Sequence, residues 1–207
     1  MKKTPPSTVN RLSLYLKCFS ELTGQDVEYV SSEEVAKCIG INAAQVRKDL
    51  AYFGQFGRRG VGYHVAQLKE HISRILGTHK QWRVGVVGVG KLGSALAMYK
   101  GLQERGFKVV AGFDTAQDKI GWEIDEVRIY DFQDIEKIIK KEKIEIMIIT
   151  TPKDSLAAVM ERLKNTGIKG VLNFAGKHLM DEGNIIIRNV DLALEMEQLT
   201  FFLTNKQ

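Results

Sequence analysis

The amino-acid sequence predicts an α/β protein in which a small helical domain precedes a larger domain of alternating strands and helices. Two observations lead to this prediction. Apolar residues recur at helical spacing in the first quarter of the chain, and a later strand runs into a glycine-rich loop and a helix. A chain of 207 residues is long enough for two domains. The polar segment 77–81 separates them, so we expect a first domain at 1–78, a second at 82–188 and a terminal helix at 189–207.

Composition and charge narrow the class of protein. Hydrophobic residues make up 44% of the chain and charged residues 27%, as in soluble globular proteins. No apolar run approaches the roughly 20 residues of a membrane span, and no long apolar segment follows the basic N-terminus, so we expect a cytoplasmic protein without a signal peptide. The net charge is +5, and residues 1–78 hold 11 basic against 7 acidic residues. This asymmetry favours a polyanionic partner for the first domain.

The first domain is predicted to begin with three helices. Apolar residues in the segment 7–22 repeat every three or four positions, which indicates an amphipathic helix. The run 31–34, Ser-Ser-Glu-Glu, is a capping box that opens a second helix, and Gly40 ends that helix. Asn42 opens a third helix that continues to residue 52 or 53. The second and third helices have the spacing of a helix-turn-helix. In such a motif the later of the two helices, here the third helix of the domain, enters the major groove of DNA.

The third helix carries the candidate DNA-reading residues. Val46, Leu50 and Phe53 fall on one face and are predicted to pack on the first two helices. Arginine and lysine suit the acceptors of guanine in the major groove, and glutamine suits adenine. An ordinary helical domain with a solvated charged face would give the same pattern. The candidate base contacts, on or beside the opposite face, are Gln45, Arg47 and Lys48.

A glycine-rich segment, residues 54–63, follows the third helix and favours the DNA-binding interpretation. It contains four glycines, two arginines and two aromatic residues, and glycines permit a tight hairpin. Paired arginines at its tip would enter a narrow, electronegative minor groove. A hairpin at this place is the wing of a winged helix, and an amphipathic helix at 65–76 completes the domain. The candidate DNA contacts of the wing are Arg58, Arg59, Gly60 and Tyr63.

A dinucleotide-binding motif opens the second domain. The strand at 83–87 runs directly into Gly88-Val89-Gly90-Lys91-Leu92-Gly93, and a helix is predicted from Leu92 to about Glu104. A second strand, Phe107–Phe113, ends at Asp114, 21 residues after Gly93. A GxGxxG loop between strand and helix, with an acid about 20 residues later, is the fingerprint of a Rossmann domain. The loop would approach a pyrophosphate, and Asp114 would accept the ribose hydroxyls and repel a 2′-phosphate, which favours NAD over NADP.

Strands and helices continue to alternate after this motif. Helices are predicted at 132–141 and 155–163, and strands at 144–150, 170–174 and 185–187. This order implies a parallel sheet, whose ligands bind beyond the carboxyl ends of the strands. A doubly wound domain without a ligand is the alternative. The residues at those ends that would line the nicotinamide side are Thr150, Thr151, Pro152, Asn173 and Phe174.

The predicted last helix, from Asp191 to about Leu203, is apolar on more than one stripe. Such a helix needs burial beyond one face. Docking into a second subunit would supply that burial, and DNA-reading proteins commonly bind paired half-sites. Burial within its own chain is the alternative.

These residues resemble the Rex family of redox-sensing transcriptional repressors over nearly the whole chain. The most specific stretches are 45–54, 59–63 and 88–93, and the stretches 172–175 and 189–192 also match. The resemblance implies a homodimer with an N-terminal winged helix and a domain-swapped C-terminal helix. It implies a Rossmann core that binds NADH, with NAD+ as the competing ligand. It also implies that the protein binds operators of respiratory and fermentative genes and leaves them when NADH rises.

The resemblance also suggests which residues distinguish NADH from NAD+. Besides Thr151, Pro152 and Phe174, the candidates to lie near the nicotinamide ring are Tyr99 and, from the swapped helix of the other subunit, Asp191 and Leu192. A neutral reduced ring would fit a closed apolar pocket, whereas the oxidised cation would resist desolvation. Two residues depart from the family pattern. Lys91 stands where members often have asparagine, and Lys17 stands where some have an arginine that pairs with the acid matching Asp191 of the other subunit. Lysine keeps the charge but loses the bidentate geometry of arginine.

An NAD-dependent dehydrogenase is the rival function. Hydride transfer to a carbonyl needs an acid or base near the reacting atom and a substrate domain. His178 has no acid partner nearby in sequence, and Tyr99 lacks a Tyr-x-x-x-Lys partner, so we expect no catalytic residues. A CoA-binding relative is a third hypothesis, and Asp114 disfavours it because it suits an unphosphorylated ribose.

The two cysteines, Cys18 and Cys38, are too few for a disulfide scaffold or a zinc cluster, and no metal site is expected. Both fall in helical, apolar-periodic segments, so we expect two small buried thiols. A thiol-based redox sensor is the alternative, although neither residue has a CxxC context.

Overall fold

The structure is a computed structural model that describes residues 5–58 and 60–205. The chain divides into two compact units, Met1–Lys80 and Gln81–Gln207, called here the first and the second unit. The predicted DNA contact Arg59 lies outside the described residues. Within the described ranges, no helix is long and apolar enough to cross a membrane. The same ranges contain no group of three or more His, Cys, Asp or Glu side chains that could hold a metal ion.

The first unit is a winged helix-turn-helix. Its helices are α1 (Pro6–Gly24), α2 (Ser32–Ile39), α3 (Ala43–Phe53) and α4 (Val65–Leu76). Three short strands, β1 (Tyr29–Val30), β2 (Gly57–Arg58) and β3 (Gly62–His64), form an antiparallel sheet in the order β1-β3-β2. Strand β1 is absent from the sequence-based prediction because two residues carry no periodic pattern. The elements enclose one core, whose largest buried side chains include Leu12, Tyr15, Phe19, Leu50, Leu68 and Ile72.

The helix boundaries of the first unit follow the predicted capping residues. The Ser31 hydroxyl accepts the amide of Glu34, and the Glu34 carboxylate accepts the amide of Ser31, which confirms the capping box. Gly40 ends α2 in the left-handed conformation, with a φ of 72°. The Asn42 side chain accepts the amide of Gln45 at 2.8 Å and so caps α3. These caps limit the turn between α2 and α3 to three residues.

The hairpin of β2 and β3 confirms the predicted wing. Strand β3 pairs with β2 on one side and with β1 on the other. Gly62 has a φ of 100°, and a Cβ atom at this position would lie 2.4 Å from the carbonyl oxygen of Val30. Only glycine therefore allows β3 to pair with β1 at this point and attach the wing to the rest of the unit.

The second unit is built on a doubly wound sheet. Its parallel strands are β4 (Trp82–Val87), β5 (Phe107–Asp114), β7 (Val127–Asp131), β8 (Ile146–Ile149), β9 (Gly170–Asn173) and β10 (Ile186–Asn189), and β6 (Glu123–Ile124) pairs antiparallel with β7. The order across the sheet is β10-β9-β8-β4-β5-β7-β6. After β7 the chain returns to place β8 beside β4, so the switch point lies between β4 and β8. The predicted fold class is confirmed.

Helices cover both faces of this sheet. On one face, α7 (Ile135–Glu142) and α8 (Leu156–Leu163) pack on a core that includes Phe113 and Met147. On the other face, α5 (Lys91–Ala97) and α6 (Lys100–Gln103) contribute Leu96 and Leu102 to a smaller cluster around Val86. The loop between β4 and α5 therefore lies at the switch point of the sheet.

The prediction of a single helix from Leu92 to about Glu104 is wrong, because two helices occupy this segment. The backbone of Tyr99 is extended, with φ −72° and ψ 101°, between the end of α5 and the start of α6. The Tyr99 ring lies against Gly101, where a Cβ atom would be 2.6 Å from a ring carbon. The lack of a side chain at Gly101 admits the ring and also lowers the helix propensity of this segment.

The terminal helix α9 (Leu192–Thr204) contains no buried residue. Asp191 caps it, because its carboxylate accepts the amide of Ala193 at 2.9 Å. The described chain does not cover this helix, which contradicts the alternative that it is buried within its own subunit. Its large apolar side chains are between 50% and 64% exposed, and they are Leu192, Leu194, Met196, Leu199, Phe201, Phe202 and Leu203.

The two cysteines differ in exposure. Cys18 on α1 is buried, as predicted, whereas Cys38 on α2 is exposed. The prediction of two buried thiols is therefore wrong for Cys38. Helix α2 has only eight residues and buries a narrow stripe of Ser32, Val35 and Ala36, so residue 38 lies at the margin of this stripe.

Candidate functional site

The predicted base-reading residue Gln45 is held by its own helix. Its Nε2 donates a hydrogen bond to Oδ1 of Asp49, one turn later on α3, at 2.7 Å. The amide of glutamine has two N–H groups and a carbonyl oxygen, so one N–H and the oxygen stay available for a base edge. Asp49 thereby fixes the direction in which the Gln45 amide points.

Asp49 is the centre of a buried polar cluster that joins α1 to α3. Its carboxylate accepts hydrogen bonds from the Arg11 guanidinium and, at 2.9 Å, from the Tyr15 hydroxyl. Burial opposes ionisation, but the bonds from Arg11, Gln45 and Tyr15 lower the pKa of Asp49 below its ordinary value. Burial and the Asp49 carboxylate raise the pKa of Tyr15. An acid between Val46 and Leu50 on the buried face of α3 is the sequence signal that points to such a cluster.

The side chain of Arg47, on α3, is hydrogen-bonded to residues of α2. Its Nη1 donates to Oγ of Ser32 at 2.7 Å and to Oε1 of Glu33 at 3.1 Å. The side chains of Arg47 and Glu33 are 55% and 64% exposed, and exposed ion pairs of this kind contribute little stability. The Arg47 guanidinium can therefore exchange Glu33 for another anion. No sequence pattern reveals Glu33 as its partner.

A groove with a volume of about 580 Å³ lies between α3 and the wing. Arg47 borders it from α3 and Arg58 from the wing. Lys48 and Arg58 are exposed, and Gly60 at the tip of the wing has a φ of 80°. The first unit thus presents cationic side chains on both its recognition helix and its hairpin, as a nucleic-acid interface requires.

Tyr63 is one of the predicted DNA contacts of the wing. Its side chain is buried, with 8% of its surface exposed. The ring packs against Gly57 across the hairpin, where a Cβ atom would be 3.0 Å from it. Burial raises the pKa of the Tyr63 phenol. This residue therefore supports the wing and lines the groove from within, and the absence of a side chain at Gly57 makes room for it.

Two glycines of the loop after β4 pack so closely against other atoms of the protein that a side chain would not fit, and a third glycine has free space around it. At Gly88, with a φ of 88°, a Cβ atom would lie 2.9 Å from Cγ2 of Thr151. At Gly93 it would lie 2.2 Å from the carbonyl oxygen of Gly88. Gly90 is exposed and has open space around it. Of the remaining loop residues, Val89 is buried, and Lys91 and Leu92 are exposed.

Asp114 connects the end of β5 to this loop. Its Oδ2 accepts the amide of Val89 at 2.9 Å, and its Oδ1 accepts the amide of Ala116 at 3.0 Å. The Lys119 ammonium donates to Oδ2 at 2.9 Å. Burial opposes ionisation, but these donors lower the pKa of Asp114. Lys119 lies in a segment without a periodic pattern, and nothing in the sequence indicates that it reaches Asp114.

Two threonines after β8 contact the glycine loop. Thr150 Oγ1 donates a hydrogen bond to the carbonyl oxygen of Gly88 at 2.7 Å, so this residue supports the loop. Thr151 Oγ1 is buried and has no hydrogen-bond partner among the described residues. A buried hydroxyl without a partner costs about 1–3 kcal/mol. The Thr151 hydroxyl is therefore available to a polar atom of a bound molecule. The next residue, Pro152, is exposed.

The Asn173 side chain is hydrogen-bonded within its own chain. It is 2% exposed, and its amide nitrogen donates to the Lys177 carbonyl oxygen and to Oδ1 of Asn189, both at 2.8 Å. Its Oδ1 accepts the amide of Ala175 at 2.9 Å. These bonds fix the turn after β9, and the expectation that Asn173 lines the nicotinamide side stays a prediction. Phe174, the next residue, is half-buried against the cluster on the α5 face.

The remaining candidates, Tyr99 and Asp191, are exposed. Tyr99 is 60% exposed in the turn between α5 and α6. Asp191 follows β10, and the amide of Val190 donates to the Asn173 carbonyl oxygen at 2.8 Å, which places this segment at the carboxyl edge of the sheet. Lys17 lies near Glu21 on its own helix, with 3.9 Å between Nζ and Oε1.

Two family models match the chain. The model described as putative DNA-binding protein N-terminus matches residues 3–51. The model described as CoA binding domain matches residues 79–176, the segment that contains β4 to β9. The second match supports the doubly wound fold of the second unit.

Curated relatives match nearly the whole chain. The redox-sensing transcriptional repressor Rex of Carboxydothermus hydrogenoformans is 44% identical over 199 residues, which cover 96% of each chain. The repressor of the same name from Thermosipho africanus is 40% identical over 200 residues, which cover 97% of this chain and 96% of the relative.

Solved structures of one repressor, RSP, match the full chain. RSP in complex with β-NAD+ and operator DNA is 32% identical, with a TM-score of 0.92, and the match covers 100% of this chain and 95% of RSP. RSP in complex with β-NADH is 30% identical, with a TM-score of 0.88, and the match covers 100% of this chain and 97% of RSP. These identities and coverages, together with a winged helix and a glycine loop in the predicted places, show that the chain belongs to the Rex family of redox-sensing transcriptional repressors.

Proposed function

We propose that this chain is a homodimeric, cytoplasmic repressor that binds operator DNA through its first unit and releases it when NADH binds to its second unit. One observation carries the proposal. The chain matches, over its full length, a repressor solved both with β-NAD+ and operator DNA and with β-NADH. A dehydrogenase is not favoured, because the relatives that match along the whole chain are repressors.

The DNA surface in this proposal consists of α3 and the wing. Gln45 offers a carbonyl oxygen and one N–H in a direction set by Asp49, and this pair complements N6 and N7 of adenine. Lys48 and Arg58 are exposed cations that suit phosphates or guanine. Arg47 would exchange Glu33 for DNA. Arg59 and Gly60 remain predictions for the tip of the wing.

The glycine loop fits a dinucleotide. Side chains are excluded at Gly88 and Gly93, and the open backbone at Gly90 would approach a pyrophosphate, with Lys91 as a nearby cation. The buried Thr151 hydroxyl, which has no partner among the described residues, would bond to a polar atom of the cofactor. Val89 and Leu92 complete the loop, and Thr150 holds its backbone in place.

Asp114 would select NAD(H) by its charge. A carboxylate accepts about four hydrogen bonds, and three donors already contact Asp114. Two of these donors are backbone amides in fixed positions, whereas the third is the flexible side chain of Lys119. Binding of both ribose hydroxyls would therefore displace Lys119. The carboxylate would repel the 2′-phosphate of NADPH, so NADH should bind more tightly.

The redox state of the cofactor would be sensed beside the nicotinamide ring, which is neutral in NADH and cationic in NAD+. Phe174 offers an apolar wall at the carboxyl edge of the sheet, next to Thr151 and Pro152, and such a wall favours a neutral group. Tyr99, together with Asp191 of a second copy of the chain, would close this site. A ligand shifts an equilibrium only by its differential affinity for the two states, so these residues would produce the response.

Helix α9 would join the two subunits. Its apolar side chains are exposed on every face, and an exposed apolar surface of this size is typical of an interface. A chain that ends at residue 190 should be monomeric or aggregated in light scattering. A stable dimer of this shortened chain would place the interface elsewhere.

A mobility shift with operator-like DNA tests the proposal. The complex should persist with NAD+ and dissociate when NADH is added. Two variants separate the sites: Asp114→Ala should still bind the DNA but resist NADH, whereas Lys48→Ala should bind NADH normally and bind DNA more weakly. DNA binding that is indifferent to NADH in the unaltered protein would contradict the proposal.

A further inference from the structure

The capping run at the start of α2 contains two pairs of residues with different tasks. Ser31 and Glu34 form the capping box, in which each side chain bonds to a backbone amide of the same short segment. Ser32 and Glu33 bond to each other and to the Arg47 guanidinium on α3. Glu33 is therefore an acid that the cap of α2 does not use.

Ser32 and Glu33 bind the same nitrogen of Arg47. Nη1 of Arg47 donates to Oγ of Ser32 at 2.7 Å and to Oε1 of Glu33 at 3.1 Å. The Ser32 hydroxyl donates in turn to Oε2 of Glu33 at 3.2 Å. Ser32 is buried, whereas the two charged side chains are more than half exposed. The serine thus fixes the place of the contact, and the carboxylate supplies the charge that neutralises Arg47.

The Glu33 carboxylate borders the DNA surface. Glu33 is the one acid among the described residues that line the groove between α3 and the wing, and Arg47 and Arg58 line the same groove. Every phosphate of DNA carries a negative charge, and in a helix-turn-helix the first helix of the motif, here α2, crosses the DNA backbone. Glu33 therefore stands where phosphates approach, and it is paired with a cation that DNA also attracts.

We propose that Glu33 is an affinity-determining residue of the DNA surface, which competes with DNA for Arg47 and thereby weakens operator binding. The inference rests on the proposed function, because it requires α3 and the wing to bind DNA. When Arg47 leaves Glu33 for DNA, the ion pair is lost and the freed carboxylate lies beside the DNA backbone. Both changes oppose binding.

The consequence of this competition concerns the response to NADH. A ligand shifts an equilibrium only by its differential affinity for the two states. A DNA complex that is weakened by Glu33 therefore dissociates at a lower NADH concentration than one in which Arg47 is free for DNA. Glu33 would set the NADH concentration at which the protein leaves its operator.

Glu33→Gln tests the inference, since it removes the charge and keeps the shape of the side chain. Loss of one exposed ion pair corresponds to DNA binding about twofold to fivefold tighter for each subunit, hence about fourfold to twenty-five-fold for a dimer. Affinity should also fall more steeply with salt, by about one counterion per subunit, because no freed carboxylate takes up a cation. Fluorescence anisotropy with operator-like DNA, without NADH, measures both changes. A loss of stability in the variant would weaken DNA binding, so it cannot produce the predicted gain.

The matched control is Glu70→Gln, which changes the net charge by the same amount. Glu70 forms an exposed ion pair of 2.7 Å with Arg74 on α4, and it is not among the described residues that line the groove. Because salt screens exposed charges that lie far from the DNA, this variant should bind operator-like DNA within about twofold of the unaltered protein. An equal gain in Glu70→Gln and Glu33→Gln would reduce the effect to net charge and overturn the inference.

The part played by Arg47 is tested by repeating the substitution in an Arg47→Ala protein. There Glu33→Gln should tighten DNA binding by a smaller factor, since no ion pair is left to compete. Equal factors with and without Arg47 would show repulsion alone and refute the competition. Unchanged or weaker binding by Glu33→Gln would also refute it, and weaker binding would indicate that Glu33 accepts a hydrogen bond from a cytosine. If the unaltered protein binds operator-like DNA and releases it with NADH while Glu33→Gln shows no gain, the inference fails and the proposed function stands.

Discussion

Two carboxylates, Asp49 in the first unit and Asp114 in the second, have similar bonding partners but different surroundings. Each accepts a hydrogen bond from one cationic side chain, Arg11 or Lys119, and the pKa of each is lowered despite burial. The Asp49 side chain is 3% exposed, and its bonds come from residues fixed on α1 and α3. The Asp114 side chain is 11% exposed, and its cation is a flexible, one-third exposed lysine.

The difference separates a carboxylate that stabilises the fold from one that can bind a ligand. The bonds of Asp49 to Arg11 and Tyr15 cannot be lost without breaking the contact between α1 and α3. Asp114 can lose Lys119 and keep both backbone amides, which leaves the glycine loop in place while acceptor positions become free. The sequence singles out Asp114 by its distance from the glycine loop, whereas the partners of Asp49 on α1, Arg11 and Tyr15, lie 38 and 34 residues away along the chain.

The largest expected effect is on stability at Asp49. Asp49→Ala removes the carboxylate and leaves Arg11, Tyr15 and Gln45 without their shared partner, which should lower the free energy of unfolding by about 3 kcal/mol. Denaturant unfolding measures this change. The matched control is Glu70→Ala, which breaks an exposed pair with Arg74 of 2.7 Å and should cost less than about 1 kcal/mol. Equal losses in the two variants would remove the distinction between Asp49 and a surface acid.

The next effect is on cofactor affinity at Asp114. Asp114→Ala removes the acceptor for the ribose hydroxyls, and charge-assisted hydrogen bonds of about 1.5–3 kcal/mol correspond to NADH binding weakened about tenfold to a hundredfold. Calorimetric titration with NADH measures this change. Asp118→Ala, an exposed acid in the same segment, is the control and should leave the affinity unchanged. If Asp114→Ala binds NADH as well as the unaltered protein does, the ribose contact lies elsewhere.

The pH dependence of stability should show the lowered pKa of Asp49. A carboxyl group whose folded pKa lies below its unfolded value, about 3.9, stabilises the protein above that value and loses this contribution as the pH falls through the folded pKa. The difference in unfolding free energy between the unaltered protein and Asp49→Asn should therefore be constant at neutral pH and shrink in acid. A difference that does not change between neutral pH and pH 3 would contradict the assignment.

The smallest effect is expected at Lys119. Its ammonium offsets the charge of Asp114, so Lys119→Met should increase the repulsion of a 2′-phosphate and weaken NADPH relative to NADH by about threefold. The ratio of the two dissociation constants is the relevant measurement, since it cancels effects common to both cofactors. Lys119→Arg keeps the charge and should keep the ratio. An unchanged ratio in Lys119→Met would mean that Lys119 has no part in selectivity.

Local signals predict most of the fold. The capping box at Ser31, the caps at Gly40 and Asn42, and the GxGxxG loop all act within a few residues, and the structure has each of them in the predicted place. The wing and the parallel strands other than β7 follow from glycine spacing and apolar runs in the same way, whereas β7 is absent from the sequence-based prediction. The apolar character of α9 likewise indicates a surface that its own chain does not cover.

The differences arise where contacts between individual side chains decide the outcome. The helix break at Tyr99 depends on a ring that lies over Gly101, and propensity alone does not indicate it. The buried position of Tyr63 depends on the space left by Gly57 across the hairpin. Lys119 reaches Asp114 through a segment without periodicity. Each of these contacts forms only after the chain has folded, so no pattern along the sequence records it.

The central claim is that operator DNA and NADH bind to the same dimer and oppose each other. Coupling between two binding sites is reciprocal, so DNA must weaken NADH binding by the factor by which NADH weakens DNA binding. Titration of NADH into free protein and into protein saturated with operator DNA measures this factor directly. We predict a higher dissociation constant for NADH in the DNA-bound protein. Equal dissociation constants in the two titrations would contradict the account.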